Sequence, residues 1–176
     1  MSSGFDIPQI VSSDKQIKSH LKPGYGWIEQ VEIDLEPRCD DGTLEGESVL
    51  VSWYRYLADA TLRANRPIAY QHNTRQMLQQ QGFIDIQERI IRAPLNGWSS
   101  DPHQKQLGRW YNLGLTDGLD ALSLGPFTRA YRWDANQHVR PLLKQVKQEI
   151  SRSKVHAYNN MYGFNHTSYI HNADRL

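Results

Sequence analysis

The chain has 176 residues, of which 39% are apolar or aromatic and 22% charged. That is a globular composition with material for a sizeable core, and it excludes disorder as a description of the whole. The 20 basic and 19 acidic residues are interspersed and leave a net charge of +1, so no global field points to nucleic acid or to a membrane surface.

In chain order, "MSSGFDIPQIVSS" has no charged start followed by an apolar run and is not a secretory signal. No 18-residue apolar stretch follows anywhere, so a cytoplasmic protein is expected, with the nucleus as the alternative. Ser13-Asp14-Lys15-Gln16 forms a capping box that opens a leading helix ending near Lys22. Pro23, Gly24 and Gly26 then make a turn. A strand follows from Trp27 to Leu35, with Trp27, Val31, Ile33 and Leu35 on one face and Ile28, Gln30, Glu32 and Asp34 on the other. "CDDGTLEGE" is a polar loop. Its cysteine, Cys39, is the only one and fits a reducing compartment. Its acidic neighbours Asp40 and Asp41 offer nothing to activate a thiol.

Ser48 caps the next helix, where Leu50, Trp53, Tyr54, Leu57, Thr61 and Ala64 recur at helical spacing. Asn73-Thr74-Arg75-Gln76 opens a short helix that closes at Gly82. "FIDIQERII", Phe83 to Ile91, is a second strand, ended by Pro94. From Asp101 to Tyr131 the pattern is helical, with a stripe of Leu107, Tyr111, Leu115, Leu119 and Leu122. Gly108, Gly114 and Gly118 weaken that helix or permit a neighbour's close approach. Asp134 caps a helix carrying Val139, Leu142, Leu143, Val146 and Ile150, which either kinks at Pro141 or begins there. The end, "YNNMYGFNHTSYIHNADRL", is polar and poorly patterned.

The alternation of strands and helices is that of an α/β fold, whose ligands sit beyond the carboxyl ends of the strands. Glu29, Glu32, Asp34 and the loop after Arg38 lie at that end. "GYG" at Gly24–Gly26 precedes a strand and is a turn, not a dinucleotide fingerprint. No histidine pairs with cysteine at zinc spacing, and His166 and His171 are expected to be solvated, so no metal is expected. Strand-end acids such as Glu32 and Asp34 more often cap a loop or meet an arginine than form a hydrolytic pair. Trp98 and Trp110, beside a loop and a helix start, are the candidate pocket walls.

Three blocks together resemble the fungal LaeA-type methyltransferase family: "LKPGYGWIEQVEIDLEPRCDDGTL", "QQGFIDIQERIIRAPLNGWSSDPHQKQLGRWYNLGLTDGLDALSLGPFTRAYRW" and "KQEISRSKVHAY". They occur in the family's order between about Leu21 and Tyr158. The resemblance implies a class I fold binding S-adenosylmethionine, with a sheet ordered 3-2-1-4-5-7-6. Some members methylate small molecules in fungal secondary metabolism, and one branch is a nuclear regulator working with velvet-type proteins. On this resemblance the chain is the C-terminal portion of the fold, strands 5 to 7 with a helical cover. The first four strands are expected to be missing, and with them the glycine-rich loop and acidic residue that hold the cofactor.

The expected organisation is a leading helix over 1–22, strand–helix–strand over 23–95, a helical substrate cover over 96–153 and an irregular tail over 154–176. Within it, His156 or His103 would act as base with Glu32 behind them. Trp98, Trp110, Tyr111, Phe127, Thr128 and Arg129 would face a small-molecule acceptor. The strand at Trp27 would present an unpaired apolar edge that could take a protein partner. The alternatives to methyl transfer are a non-catalytic partner or regulator, an inactive remnant, and a cyclase on a repurposed methyltransferase fold.

Overall fold

The computed structural model describes residues 20–22 and 25–168. The capping box at Ser13 and nearly all of the expected leading helix lie outside them, as do Pro23, Gly24 and His171. In order, the chain forms β1 (Trp27–Arg38), α1 (Val49–Arg63), α2 (Thr74–Gln80), β2 (Phe83–Pro94), α3 (Pro102–Ala130), a π-helical turn (Ala135–Val139), α4 (Arg140–Ile150) and β3 (Tyr158–Ser168). This is an α/β architecture with a three-stranded sheet in the order β1-β3-β2. The Leu95 N–H donates to the Ala157 carbonyl, and the Arg89 carbonyl lies nearest the Gly163 backbone. Rising numbers on β2 thus meet falling numbers on β3, and that pair is antiparallel.

The chain divides into two compact units. The larger comprises Ile33–Tyr70 and Ile91–Met161. Its α1 starts where the Ser48 hydroxyl accepts from the Val51 N–H, and it buries Leu50, Trp53, Leu57, Ala60 and Thr61. The Trp53 indole N–H finds the Ser123 hydroxyl at 2.8 Å, so the largest core side chain leaves no polar atom unsatisfied. On α3 the buried positions are Gly108, Leu115, Leu119, Ser123 and Phe127. The glycines do not break this 29-residue helix. A Cβ on Gly108 would stand 2.1 Å from the Asn96 carbonyl oxygen, whereas Gly114 and Gly118 face open space, so one of the three permits a close approach.

The Asp134 carboxylate accepts from the Asn136 and Gln137 N–H groups and opens the π-helical turn. α4 then begins with Pro141 in its first turn, where proline costs no backbone hydrogen bond. The choice between a kink and a start at Pro141 is thereby settled in favour of a start. Leu143, Val146 and Ile150 complete the core with Val139.

Among the described residues, the smaller unit holds those up to Glu32, Gln71–Ile90 and those from Tyr162 to Ser168. Leu78, Phe83, Ile86, Tyr162 and Phe164 are buried there. Asn73 precedes α2 without a side-chain cap, so the expected capping box is not made. The Arg75 guanidinium instead donates to the Ile86 carbonyl. Gly82 closes the helix at φ +79°, a conformation that favours glycine.

Two expectations fail at the end of the chain. Residues 158–168 form β3, the central strand, and not an irregular tail. Tyr162, Phe164 and His166 are buried at period two, but their polar intervals masked the alternation. His166 is not solvated: it is 3% exposed, packs edge-on to Phe83, and burial pushes its pKa down.

Candidate functional site

A cavity of about 320 Å³ in the larger unit is lined by Asp40, Asp41, Arg92, Trp98, His156 and Tyr158, among others. Its walls come from the loop after β1, the end of β2, the loop before α3 and the entry to β3. The first of these is the loop after Arg38, where the strand-end rule places ligands.

His156 is held from three sides. Its Nδ1 lies 2.5 Å from Asp41 Oδ2, its backbone N–H donates to Thr43 Oγ1 at 2.9 Å, and its ring stacks on Trp98 at 4.8 Å between centroids. Trp98 is in turn fixed by its indole N–H on the Ala157 carbonyl. Its loop is pinned two residues earlier, where Asn96 Nδ2 reaches the carbonyls of Ile150, Arg152 and Val155. Asn112 binds the Leu95 carbonyl from α3. Trp98 is therefore a positioned wall.

Asp41 gathers donors from the Cys39 thiol, the Thr43 hydroxyl and N–H, and His156. With the Cys39 contact foremost, these hold its carboxyl well below the usual carboxylate range. A carboxylate kept ionised beside Nδ1 favours the tautomer with a proton there and leaves Nε2 as the acceptor. Among the described residues no hydrogen bond to Nε2 is present. Such an imidazole can take a proton at Nε2 while Asp41 holds its orientation. On the other wall, Asp40 accepts from Tyr158 Oη at 2.7 Å and pairs with Arg92 at 2.7 Å. The Arg92 guanidinium lies over the Tyr158 ring.

The structure thus brings His156 and Trp98 together and leaves the other expected site residues elsewhere. His103 is exposed in the first turn of α3. Glu32 belongs to the smaller unit and accepts from Gln30. Trp110, 66% exposed, lines a separate groove with Lys105 and Arg109. Tyr111 donates to Asn159 Oδ1, and burial together with the Asp34 charge pushes its phenol up to about 12. Phe127 is 0% exposed and belongs to the core, in an aromatic cluster with Tyr56, Tyr131 and Trp133. The Thr128 hydroxyl donates to its own helix at Leu124. Arg129 lines a third groove. Asp34 meets Arg38 at 2.7 Å, as strand-end acids commonly do.

Sequence reasoning missed Asp40, Asp41, Arg92 and Tyr158 as site residues. The only signal was the position of Asp40 and Asp41 just after the first strand. Among the described residues no group of three potential metal ligands occurs, and no helix is long and apolar enough to cross a membrane.

No family model matches the chain. It is 62% identical over 148 residues to the secondary metabolism regulator LAE1 of Cochliobolus heterostrophus, a match covering 84% of this chain and 48% of that protein. It is 45% identical to the secondary metabolism regulator laeA of Aspergillus flavus, over 82% of this chain and 39% of the relative. The protein-methionine methyltransferase laeA of Emericella nidulans is 44% identical over 82% of this chain and 38% of its own length. The chain spans less than half the length of these relatives.

Proposed function

Because this chain is homologous to the fungal LaeA-type secondary metabolism regulators over more than four-fifths of its length, we propose that it is the acceptor-binding part of an S-adenosylmethionine-dependent methyltransferase-like protein of secondary metabolism. The observation that carries this reading is the cavity in which Asp41 and Trp98 orient His156. The sheet order supports it, since β1-β3-β2 corresponds to the 5-7-6 end of the sheet the resemblance implies. One relative, that of Emericella nidulans, is a protein-methionine methyltransferase by name.

The cavity does not fit the cofactor itself. Asp40 is engaged by Arg92 and Tyr158, and Asp41 by Cys39, Thr43 and His156. Both carboxylates are thus committed to the protein's own donors. The chain's own contribution is to wall the acceptor with Trp98 and to take a proton at His156 Nε2 when the acceptor is a hydroxyl or an amine. A thioether acceptor has no proton to lose and would leave His156 idle.

That difference defines the test. The natural protein is incubated with methyl-labelled S-adenosylmethionine and the host's small-molecule extract, with and without His156→Gln. A proton-bearing acceptor predicts a loss of about 10²–10⁴-fold in turnover, whereas a thioether acceptor predicts almost none. Folded protein that transfers no label and shows no calorimetric binding of the cofactor rules out methyl transfer by this chain alone.

A second reading, a non-catalytic partner in the cytoplasm or nucleus, is favoured by β1. It is an edge strand, and Trp27 and Val31 on it are 63% and 58% exposed. A protein docking there would add a strand or cover those side chains. Val31→Lys should abolish co-elution with such a partner; unchanged co-elution removes the edge from consideration.

A further inference from the structure

The groove between the ends of α1 and α3 is distinct from the His156 cavity and independent of the methyl-transfer reading. It encloses about 510 Å³ and carries Arg63, Arg66 and Arg129 over a floor that includes Ala64, Pro126 and Ala130. No acidic residue lines it. Asp59, one turn before Arg63, already accepts from Arg63 Nε and from Tyr131 Oη. Arg66 and Arg129 have no ion-pair partner among the described residues. Arg63 and Arg129 close the last turns of their helices, where a cation offsets the dipole, but Arg66 lies beyond α1 and has no such role.

We propose that this groove docks an acidic peptide segment of a partner protein. Three guanidiniums offer planar forks that match carboxylates, and the alanine and proline floor accepts small apolar side chains between them. The volume suits a short peptide and far exceeds a single phosphate. The carbonyls of Ala60, Thr61 and Leu62 at the end of α1 already accept from the Ala64, Arg66 and Asn65 N–H groups, so the guanidiniums are what the groove offers a ligand.

The test uses fluorescence anisotropy on the full chain with a labelled peptide of alternating glutamate and alanine. Glutamine–alanine and lysine–alanine peptides of the same length serve as controls, and inorganic phosphate as competitor. Saturable binding of the acidic peptide alone is expected, weakening as salt rises. Arg66→Glu combined with Arg129→Glu should lower affinity at least about a hundredfold, since each lost charge-assisted contact is worth roughly tenfold. Ala64→Phe should also remove binding, by filling the floor without touching a charge. Circular dichroism and thermal melts verify that each variant folds. The proposal is overturned by no binding, by equal binding to the double variant, by equal binding of the glutamine peptide, or by phosphate that binds as tightly as the peptide. The last outcome would make the groove a simple anion site.

Discussion

The helical layer of the larger unit and the polar bracket around His156 belong to the same compact unit, yet they are built on opposite terms. In the layer, Leu57, Leu119, Phe127, Val146 and Ile150 are fully buried, and each is placed by a helical repeat visible within its own segment. In the bracket, Asp40, Asp41, Arg92, Trp98, His156 and Tyr158 come from four separated segments and meet through hydrogen bonds and stacking. The layer would keep its shape under many apolar exchanges of similar volume. The bracket has specific partners, so its geometry rests on a few contacts, and the heaviest of these join it to the layer.

The largest expected effect lies at such a junction. Gly108→Ala would push a methyl group against the Asn96 carbonyl oxygen, 2.1 Å from the new Cβ. The obstacle is backbone, so the loop must move and take Trp98 with it. A loss of about 2–3 kcal/mol, or roughly 5–10 °C in Tm, is expected by calorimetry. Gly114→Ala and Gly118→Ala on the same helix meet nothing and should stabilise by up to ~1 kcal/mol through helix propensity. Equal effects at all three positions would break the distinction between a helix that packs and a helix that carries the bracket.

Asn96→Ala ranks next. It removes the amide that reaches three carbonyls where α4 gives way to β3; those of Ile150 and Arg152 keep other donors, Asn112 Nδ2 and the Val155 N–H, so the loss falls on the buried Val155 carbonyl and costs about 1–3 kcal/mol. Urea unfolding should show that loss. The Trp98 fluorescence should also shift before global unfolding, as the loop frees its stack on His156. If the whole loss appears without that early shift, Asn96 supports the layer alone.

The same contrast sets how much of the protein was legible in its sequence. β1, α1 and the long α3 were visible because burial follows a period of 2 or 3.6 residues in each, β2 because of its β-branched run although its burial does not alternate, and Ser48 and Asp134 cap as their types suggest. β3 was hidden because polar residues share a central strand. Asn159 pays for its burial with bonds to the Glu36 carbonyl and the Tyr111 hydroxyl, partners 123 and 48 residues away. Of the expected site residues, His156 and Trp98 came together. Phe127 did not, since its place in the α3 repeat makes it core. Asp41 could not be found as the partner of a histidine 115 residues later, because no periodicity links two loops.

The smallest effect is confined to one carboxylate and is the most specific test of the bracket. Asp41 titrates below the ordinary range because the Cys39 thiol, the Thr43 hydroxyl and N–H, and His156 all contact its ionised form. A depressed folded pKa means that the unfolded chain binds the proton first as acid is added. The stabilisation from these contacts is therefore full above the unfolded value of 3.8 and is lost as pH falls through the lower folded value. Carboxyl carbon shifts followed by NMR should place the Asp41 midpoint below that of an unpaired aspartate. Cys39→Ala should raise it, and Cys39→Ser, which keeps a donor, should largely restore it. Asp41 is exposed to solvent, so the change in overall stability should be small. The His156 ring should nonetheless loosen from Trp98 when Asp41 is replaced by asparagine, because the charge that orients Nδ1 is gone while the side-chain shape remains. An Asp41→Asn variant whose His156 keeps the same ring shifts and the same tautomer would show that stacking alone positions the base. It would also reduce Asp41 from an orienting residue to a loop cap for Thr43.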